Sequence, residues 1–312
     1  MRVFARRGGR QRAVFAAISA VGNSCSSRVR VLFSVAVLDI IDAHAHAFPD
    51  PIANHAIRSL CDQGLWLEMR NHHDGTVGGL LASMDSAGIR RAVLCSVATK
   101  PTQVEKITDW SVAVASERII PFASIHPAYE QPEREIERVV GLGLRGLKFH
   151  PQYMNCAVDD PRAVRIARAA AKAGLAFVIH AGYHPAYPKL DEASPLRVRR
   201  LHDAVPDLRL LACHMGGLDD WQSVNDYIIG SDMYVETSFA LAMFPPDVLA
   251  AMLARHDPRR LLFGTDTPWQ NQTQELERFR GLPLTPEALE LALSTNALRF
   301  IGEAAASVPS RA

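Results

Sequence analysis

The feature that most constrains this chain is a series of eight short apolar runs, each of which ends in a polar residue. Short continuous runs rich in Val, Ile, Leu and Phe suit strands that are buried on both faces, as the strands of a parallel sheet are. The runs span residues 38–44, 90–97, 119–126, 144–150, 175–181, 208–214, 233–238 and 260–266. The sequence therefore predicts eight buried, parallel strands.

Helical segments separate these strands. Residues 78–88 and 159–174 each end at a glycine, and residues 194–206 and 245–258 have similar punctuation. The alternation predicts the α/β class, and eight strands are the number that closes a (β/α)8 TIM barrel. An open Rossmann sheet would place a G-x-G-x-x-G turn after its first strand, and this chain has no such turn there.

The carboxyl ends of the strands carry polar residues that a barrel core does not need. In a (β/α)8 barrel these ends converge on one mouth, where the chemistry takes place. Six of the twelve histidines fall at these positions. The strand-end residues are His44, His46, His126, Lys148, His150, His180, His214, Thr237, Ser238 and Asp266. A bound metal ion is the simplest reason for gathering them at one rim.

His44 and His46 show why the pattern favours a metal. Side chains at positions i and i+2 of a strand point to the same face, so the two imidazoles project together. Two core histidines that only form hydrogen bonds are the alternative explanation. The metal interpretation gains because His180 and Asp266 follow other strands and would meet the pair at the mouth.

Composition narrows the class of protein. A net charge of +1 with 48% hydrophobic residues argues against a nucleic-acid-binding protein that relies on bulk positive charge. Five widely spaced cysteines without a C-x-x-C pair favour reduced thiols in a cytoplasmic protein. No apolar stretch reaches the roughly 18 residues that span a bilayer, so we expect no membrane partner.

The ends of the chain are set apart from the barrel. Residues 1–37 contain seven arginines and no acidic residue. We interpret them as an N-terminal extension, either a disordered product of a mis-assigned start codon or a transit-like targeting segment. The barrel is expected to span residues 38–304, followed by a tail at 305–312.

Six motifs carry a resemblance to a known family. They are DAHAH at 42–46, GLKFHP at 146–151, VIHAGY at 178–183, ACHMGG at 212–217, FGTDTPW at 263–269 and TNALRF at 295–300. With these motifs in this order, the chain resembles the amidohydrolase superfamily of metal-dependent (β/α)8 enzymes. The similarity is greatest to the amidohydrolase-related branch that contains the aminocarboxymuconate-semialdehyde decarboxylase-like proteins. It extends from about residue 39 to residue 302.

The resemblance implies a ligand set. His44, His46, His180 and Asp266 would bind one metal ion that keeps a water molecule. His214 would act on the substrate or bind a second ion, and a carboxylated Lys148 would bridge two ions as in the binuclear members. The decarboxylase-like branch generally uses one ion, so both a mononuclear and a binuclear centre stay open. Zinc is the first expectation, with manganese and iron as alternatives.

Two reactions follow from these parts. We expect first the hydrolysis of a C–N or C–O bond in an amide, lactone or ester, because a bound metal lowers the pKa of its water. Asp266 would transfer the proton and His214 would stabilise the oxyanion. The alternative is a non-oxidative decarboxylation, in which His214 helps to protonate the carbon that carries the departing carboxylate. A barrel without catalytic activity is the remote alternative.

The expected partner is a small-molecule substrate. Residues 48–77 form a long connection after the first strand, and such loops cover the mouth of a barrel. Arg70 in this connection is a candidate contact for a substrate carboxylate. His150, Tyr183 and Trp269 follow strand ends and are further candidates. The family resemblance also makes a homodimer possible.

Overall fold

A computed structural model describes residues 38–303, and all structural statements concern that part of the chain. The expectations for residues 1–37 and 305–312 lie outside the described residues. Within residues 38–303, no helix is both long and apolar enough to cross a membrane.

Residues 38–303 contain eight strands, and all their pairings are parallel. Each lies within or overlaps one of the eight predicted runs. The strands are β1 (Ile41–Ala45), β2 (Arg91–Cys95), β3 (Ile119–Phe122), β4 (Gly146–Phe149), β5 (Ala176–Ile179), β6 (Arg209–Ala212), β7 (Tyr234–Glu236) and β8 (Leu261–Leu262).

Backbone hydrogen bonds join the strands into a closed ring. Continuous ladders run through β1-β2-β3 and through β4-β5-β6-β7-β8. Beyond the end of β3, Ala123 donates to the carbonyl of Gly146 at 3.0 Å, and the Lys148 amide donates to the carbonyl of Ala123 at 2.8 Å. At the other edge, the Ala43 amide donates to the carbonyl of Phe263 at 2.9 Å. These bonds close the predicted (β/α)8 barrel.

Helices follow each strand along the chain. They are α1 (Asp50–Asp62), α2 (Val77–Ala87), α3 (Val104–Val114), α4 (Pro132–Gly141), α5 (Pro151–Met154), α6 (Pro161–Lys172), α7 (Pro195–Ala204), α8 (Trp221–Tyr227), α9 (Ala240–Met243), α10 (Pro246–Arg255), α11 (Gln272–Arg280), α12 (Pro286–Glu290) and α13 (Asn296–Ile301). The four helical segments expected from the sequence correspond to α2, α6, α7 and α10.

The connection at residues 48–77 differs from the loop expected from the sequence, because its first half is helix α1. Pro51 occupies the first turn, where its missing amide proton costs nothing, and the buried Ala53 and Ile57 are four residues apart on one face. The second half still reaches the mouth. The Leu65 amide donates to the carbonyl of Pro185 at 2.7 Å, just beyond β5.

Asp42 holds β1 against the segment that follows β8. Its carboxylate is fully buried and accepts hydrogen bonds from the amides of His44 and Thr265, both at 3.0 Å. It also accepts from the Thr265 hydroxyl at 2.5 Å and from Gln272 Nε2 at 2.8 Å. One carboxylate thus satisfies four donors at the seam where the barrel closes.

We expect Asp42→Ala to lower the free energy of unfolding by about 3–5 kcal/mol, because it leaves several buried donors without an acceptor. Denaturant titration of the chelator-treated protein, followed by circular dichroism, measures this change. Asp207→Ala, which removes an exposed carboxylate, is the control and should shift stability by less than about 0.5 kcal/mol. Equal stability of the two variants would contradict a role for Asp42 in closing the barrel.

Candidate metal centre

Three predicted ligands meet at the mouth of the barrel. The Nε2 atoms of His44 and His46 are 3.1 Å apart. Asp266, which follows β8, places Oδ1 at 2.9 Å from His46 Nε2 and at 3.4 Å from His44 Nε2. Residues from the two strands at the barrel seam therefore point their ligand atoms at a common position.

A register shift in β1 makes this arrangement possible. The pairing of β1 with β2 is irregular between Asp42 and Ala45. Ile41 and Ala43 pack in the cluster that includes the inward residue Phe122, whereas Ala45 packs in the other, larger core cluster. A bulge lets two successive residues share a face, so His44 can turn to the mouth although Asp42 does not.

His214 and His180 extend the cluster across β6 and β5. His214 Nε2 lies 3.0 Å from His180 Nδ1. One ligand atom each from His44, His214 and Asp266 lie within 4.8 Å of one another. His214 thus stands between the β1 histidines and His180, and all five predicted ligand or catalytic side chains belong to one cluster.

The rear nitrogen of three imidazoles is tied to an oxygen atom. The contacts are His44 Nδ1 with Glu236 Oε1 at 3.0 Å, His180 Nε2 with the Tyr183 carbonyl at 3.2 Å, and His214 Nδ1 with Ser238 Oγ at 2.8 Å. A carboxylate and a carbonyl can only accept, so each rear nitrogen facing one must carry the proton. The front nitrogen is then a lone pair directed into the cluster, as a metal ligand requires.

Burial keeps these groups in the protonation states that suit a cation. Burial and the positive charge of Lys148 lower the pKa of His44 to about 4, and burial with neighbouring imidazoles takes the pKa of His180 well below its usual value. Burial opposes ionisation of Asp266, yet His44 and His46 hold its pKa below the usual range. Asp266 Oδ1 is buried and faces the ring nitrogens of His46 and His44 at 2.9 Å and 3.4 Å.

This donor set fits a divalent ion. Neutral imidazole nitrogens and a carboxylate oxygen are the ligands that zinc, manganese and iron accept. Without a cation, the lone pairs of His180 Nδ1 and His214 Nε2 would face one another at 3.0 Å in a buried site, which is unfavourable. The four residues implied by the resemblance, with His214, are therefore our proposed ligands and catalytic groups.

Strained backbone aims the side chains of the last three strands. His214, Phe239 and Asp266 follow β6, β7 and β8 and have φ angles of 59°, 58° and 59°. Residues other than glycine seldom adopt this left-handed region, which costs on the order of 1–3 kcal/mol each. Two of the three are candidate functional residues, a usual location for such strain.

Lys148 also lies inside the cluster. Its side chain is 1% exposed, and Nζ lies 2.9 Å from His44 Nε2 and 3.4 Å from Cys213 Sγ. Among the described residues, no carboxylate lies within 4.0 Å of this nitrogen to form an ion pair. Carboxylation of Lys148 and a bridge between two ions stay predictions.

Glu236 is the main site residue that sequence reasoning missed. It is the last residue of β7, fully buried, and it contacts both His44 and the backbone of His214. Burial alone would raise its pKa, but the hydrogen bond and charge of His44 lower that pKa to about 2. A glutamate inside an apolar strand was the available signal, because a buried carboxylate needs partners.

Aromatic rings form a wall next to the cluster. The predicted contact His150 stacks on His180 with centroids 4.4 Å apart and planes 12° apart. Tyr153 and His184 lie at 4.3 Å and 4.9 Å from the His150 ring, and Tyr187 lies 5.7 Å from Tyr153. Aromatic rings such as these stack favourably on other flat rings.

The remaining predicted contacts lie at different distances from the cluster. Tyr183 touches it through its carbonyl, while its ring lies 5.1 Å from Lys189 Nζ. Trp269 is half-buried, and its amide donates to the Asp266 carbonyl at 3.0 Å. Arg70 is not brought to the cluster: its side chain is 74% exposed and pairs with Glu68.

The sequence of this chain matches a family model. Residues 41–302 match the amidohydrolase model, which covers all eight strands and the candidate centre. The chain belongs to the amidohydrolase family. This confirms the resemblance found in the sequence motifs. No match was found among curated proteins.

Solved structures share the fold of this amidohydrolase. A 5-carboxyvanillate decarboxylase from Sphingomonas paucimobilis has a TM-score of 0.66 and 19% identity, covering 86% of this chain and 100% of its own. A 2,6-dihydroxybenzoate decarboxylase from Rhizobium has a TM-score of 0.61 and 16% sequence identity. This match covers 84% of this chain and 98% of the decarboxylase chain. A dihydroxybenzoic acid decarboxylase from Polaromonas sp. JS666, with bound manganese and the inhibitor 2-nitroresorcinol, has a TM-score of 0.62 and 17% sequence identity. This match covers 85% of this chain and 97% of the decarboxylase chain. At these identities the likeness establishes the TIM-barrel fold.

We expect His46→Ala to weaken the binding of a divalent ion by about 100-fold or more, since even contacts behind the ligands contribute 10–100-fold. Competition with a chelating dye measures this affinity. His55→Ala removes an exposed histidine on α1 and should bind the ion as the unaltered protein does. Undiminished affinity in His46→Ala would rule out the proposed ligand set.

The metal-free protein should lose stability as the pH falls from 6.5 towards 4. Burial lowers the folded-state pKa of His44 and of His184 to about 4 from the ordinary 6.5. In that window the unfolded chain binds protons that the folded chain excludes, so stability is present above pH 6.5 and lost on acidification. Melting temperatures in excess chelator measure the effect. His184→Gln should make the melting temperature less dependent on pH. A melting temperature that does not change between pH 6.5 and pH 4 would contradict the lowered pKa values of the buried histidines.

Proposed function

We propose that this amidohydrolase-family protein is a metal-dependent decarboxylase of hydroxylated aromatic carboxylic acids. The observation that carries the proposal is the placement of a candidate metal centre beside a wall of aromatic rings. His180 belongs to both, because its Nδ1 faces His214 and its ring stacks on His150.

The structurally similar proteins named above support decarboxylation over hydrolysis. The named neighbours act on 5-carboxyvanillate and dihydroxybenzoates, which are flat acids with a hydroxyl group on the ring. Hydrolysis, the first expectation from the sequence, has no support from these named neighbours. Their identity to this chain is at most 19%, so the reaction is our proposal and not a property of the fold.

The candidate ligands for the ion are His44, His46, His180 and Asp266. When bound, the ion would act as a Lewis acid that stabilises negative charge on the substrate oxygens. Manganese is our first choice because it is bound in the Polaromonas structure and because carboxylate oxygens such as those of Asp266 suit it. Zinc, the earlier expectation, stays an alternative to be compared by reconstitution.

His214 is the candidate proton carrier. Its Nε2 is a front nitrogen at the cluster, and Glu236 Oε1 lies 3.9 Å from its Nδ1, where it stabilises the imidazolium form. The substrate hydroxyl would pass its proton to His214, which would deliver it to the ring carbon that bears the carboxylate. The C–C bond then breaks, its electron pair restores the aromatic ring, and CO2 leaves. A proton from solvent regenerates the hydroxyl group.

Burial of the centre serves this reaction. His44, Lys148 and His214 are each 1% exposed, so charges in the site are little screened by water. The Lys148 ammonium, which has no carboxylate partner among the described residues, would attract an anionic substrate. Arg70, the earlier candidate for this task, is exposed and paired elsewhere.

Hydrolysis of an amide, lactone or ester is the second candidate, and Lys148 is the observation that favours it. Its Nζ lies 2.9 Å from a ligand atom of His44, at the strand end where the resemblance implies a carboxylated, bridging lysine. A binuclear hydrolase would bind two equivalents of metal and add the mass of one carbon dioxide to Lys148.

The manganese-reconstituted protein should release CO2 from one or more members of a hydroxybenzoate and carboxyvanillate panel. Chelation should abolish this activity, and added manganese should restore it. His214→Asn should lower kcat by about 100-fold or more, the usual size of a general acid–base contribution, while His55→Ala retains full activity.

The panel should also contain lactones and N-acyl compounds. Their hydrolysis without release of CO2, together with two bound ions, would replace the decarboxylase by the hydrolase. Activity that survives full chelation would exclude both. Absence of turnover across the whole panel would favour a barrel without catalytic activity.

A further inference from the structure

Glu236 lies beneath the candidate centre and connects two of its histidines. Oε1 accepts from His44 Nδ1 and from the His214 amide, both at 3.0 Å, and from Ser238 Oγ at 2.8 Å. Oε2 accepts from the Ser238 amide at 2.6 Å. Both oxygens are therefore engaged by donors from β1 and from the segments that follow β6 and β7.

The Ser238 hydroxyl extends this contact to the side chain of His214. A hydroxyl has one proton, and Ser238 Oγ directs it to Glu236, which can only accept. The oxygen of Ser238 is then left to accept from His214 Nδ1 at 2.8 Å. The Ser238 carbonyl, 3.3 Å from the same nitrogen, is a second and longer acceptor. The shorter contact through the hydroxyl links the proton on His214 to the carboxylate of Glu236.

We propose that Glu236 is a positioning residue that sets the tautomer of two histidines at once, His44 directly and His214 through Ser238. The metal ligand and the proton carrier thus share one orienting carboxylate. This inference rests on the metal centre of the proposed function and goes beyond it by assigning roles to Glu236 and Ser238.

The surroundings of Glu236 argue against a role as a metal ligand. Its two oxygens already accept four hydrogen bonds, and His44 presents its rear nitrogen, not its front one, to the carboxylate. Gly264 lies so close to the carboxylate that any Cβ at this position would overlap Oε2. The carboxylate therefore packs directly against the glycine.

The charge of Glu236 is what the tautomers require. A glutamine has the same shape but offers one acceptor oxygen and one NH2 group. Whichever way the amide is turned, the NH2 group faces a donor, either His44 Nδ1–H and the His214 amide or the Ser238 amide. Turning the NH2 group to His44 would favour the opposite tautomer and remove the lone pair from the front nitrogen.

Glu236→Gln and Ser238→Ala test the proposal, with Glu275→Gln as the matched control. Glu275 is also fully buried but lies on α11 and pairs with Arg278. Nitrogen-15 NMR of the imidazoles in the metal-free protein reports the tautomers, and chelator competition reports the affinity for manganese.

We expect the unaltered protein to carry the proton of His44 and His214 on Nδ1. Glu236→Gln should lose this signature at both histidines and bind manganese about 10–100-fold more weakly, the usual cost of removing a contact behind a ligand. Ser238→Ala should change His214 alone, with little change in manganese affinity. Glu275→Gln should leave both histidines and the affinity unaltered.

Unchanged tautomers in a folded Glu236→Gln protein would overturn the proposal, as would equal losses of affinity in Glu236→Gln and Glu275→Gln. If Glu236→Gln does not fold, a His214 tautomer that is unchanged in Ser238→Ala would overturn the proposal that Glu236 acts on His214 through Ser238. Expected tautomers in a protein that fails to decarboxylate the panel would support the role of Glu236 while refuting the proposed reaction.

Discussion

Acceptor atoms that face one another out of water repel, and this constraint governs the mouth of the barrel. His180 Nδ1 and His214 Nε2, whose rear nitrogens carry the protons, are 3.0 Å apart, and His44 Nε2 lies 3.4 Å from Asp266 Oδ1. The fold tolerates this arrangement because hydrogen bonds behind His44, His180 and His214 specify where each proton lies. A cation between the lone pairs converts the repulsion into coordination, which is why we place the chemistry here.

The barrel wall and the site share residues at the seam. Asp42 accepts four hydrogen bonds from β1 and the segment after β8. The amide of His44 is one of the donors, and Asp266 directly follows Thr265, which supplies two others. The β1 register shift and the left-handed backbone at His214 and Asp266 add local strain. Such strain persists only where surrounding structure holds it, so closure of the barrel and orientation of the ligands are coupled.

The features that sequence reasoning found differ in kind from those it missed. Apolar runs with polar ends are periodic, local signals, and they located the strands and the histidines that follow them. Glu236 was missed because its role depends on His44, which is 192 positions away along the chain. Arg70 lies outside the cluster, and the sequence could not show this because the position of a side chain in an irregular loop depends on the tertiary structure. Helix α1 was missed because the connection was taken as a loop.

The sequence by itself determined the (β/α)8 class, the family and the candidate ligands, because the order and spacing of motifs can be read along the chain without any tertiary contact. Only the tertiary structure decided which nitrogen of each imidazole faces the centre and which carboxylate stands behind it. It also decided that His44 turns to the mouth while Asp42 turns to the seam, since strand alternation alone would place both on one face. Those outcomes arise from contacts between distant strands, which exist only once the barrel has closed.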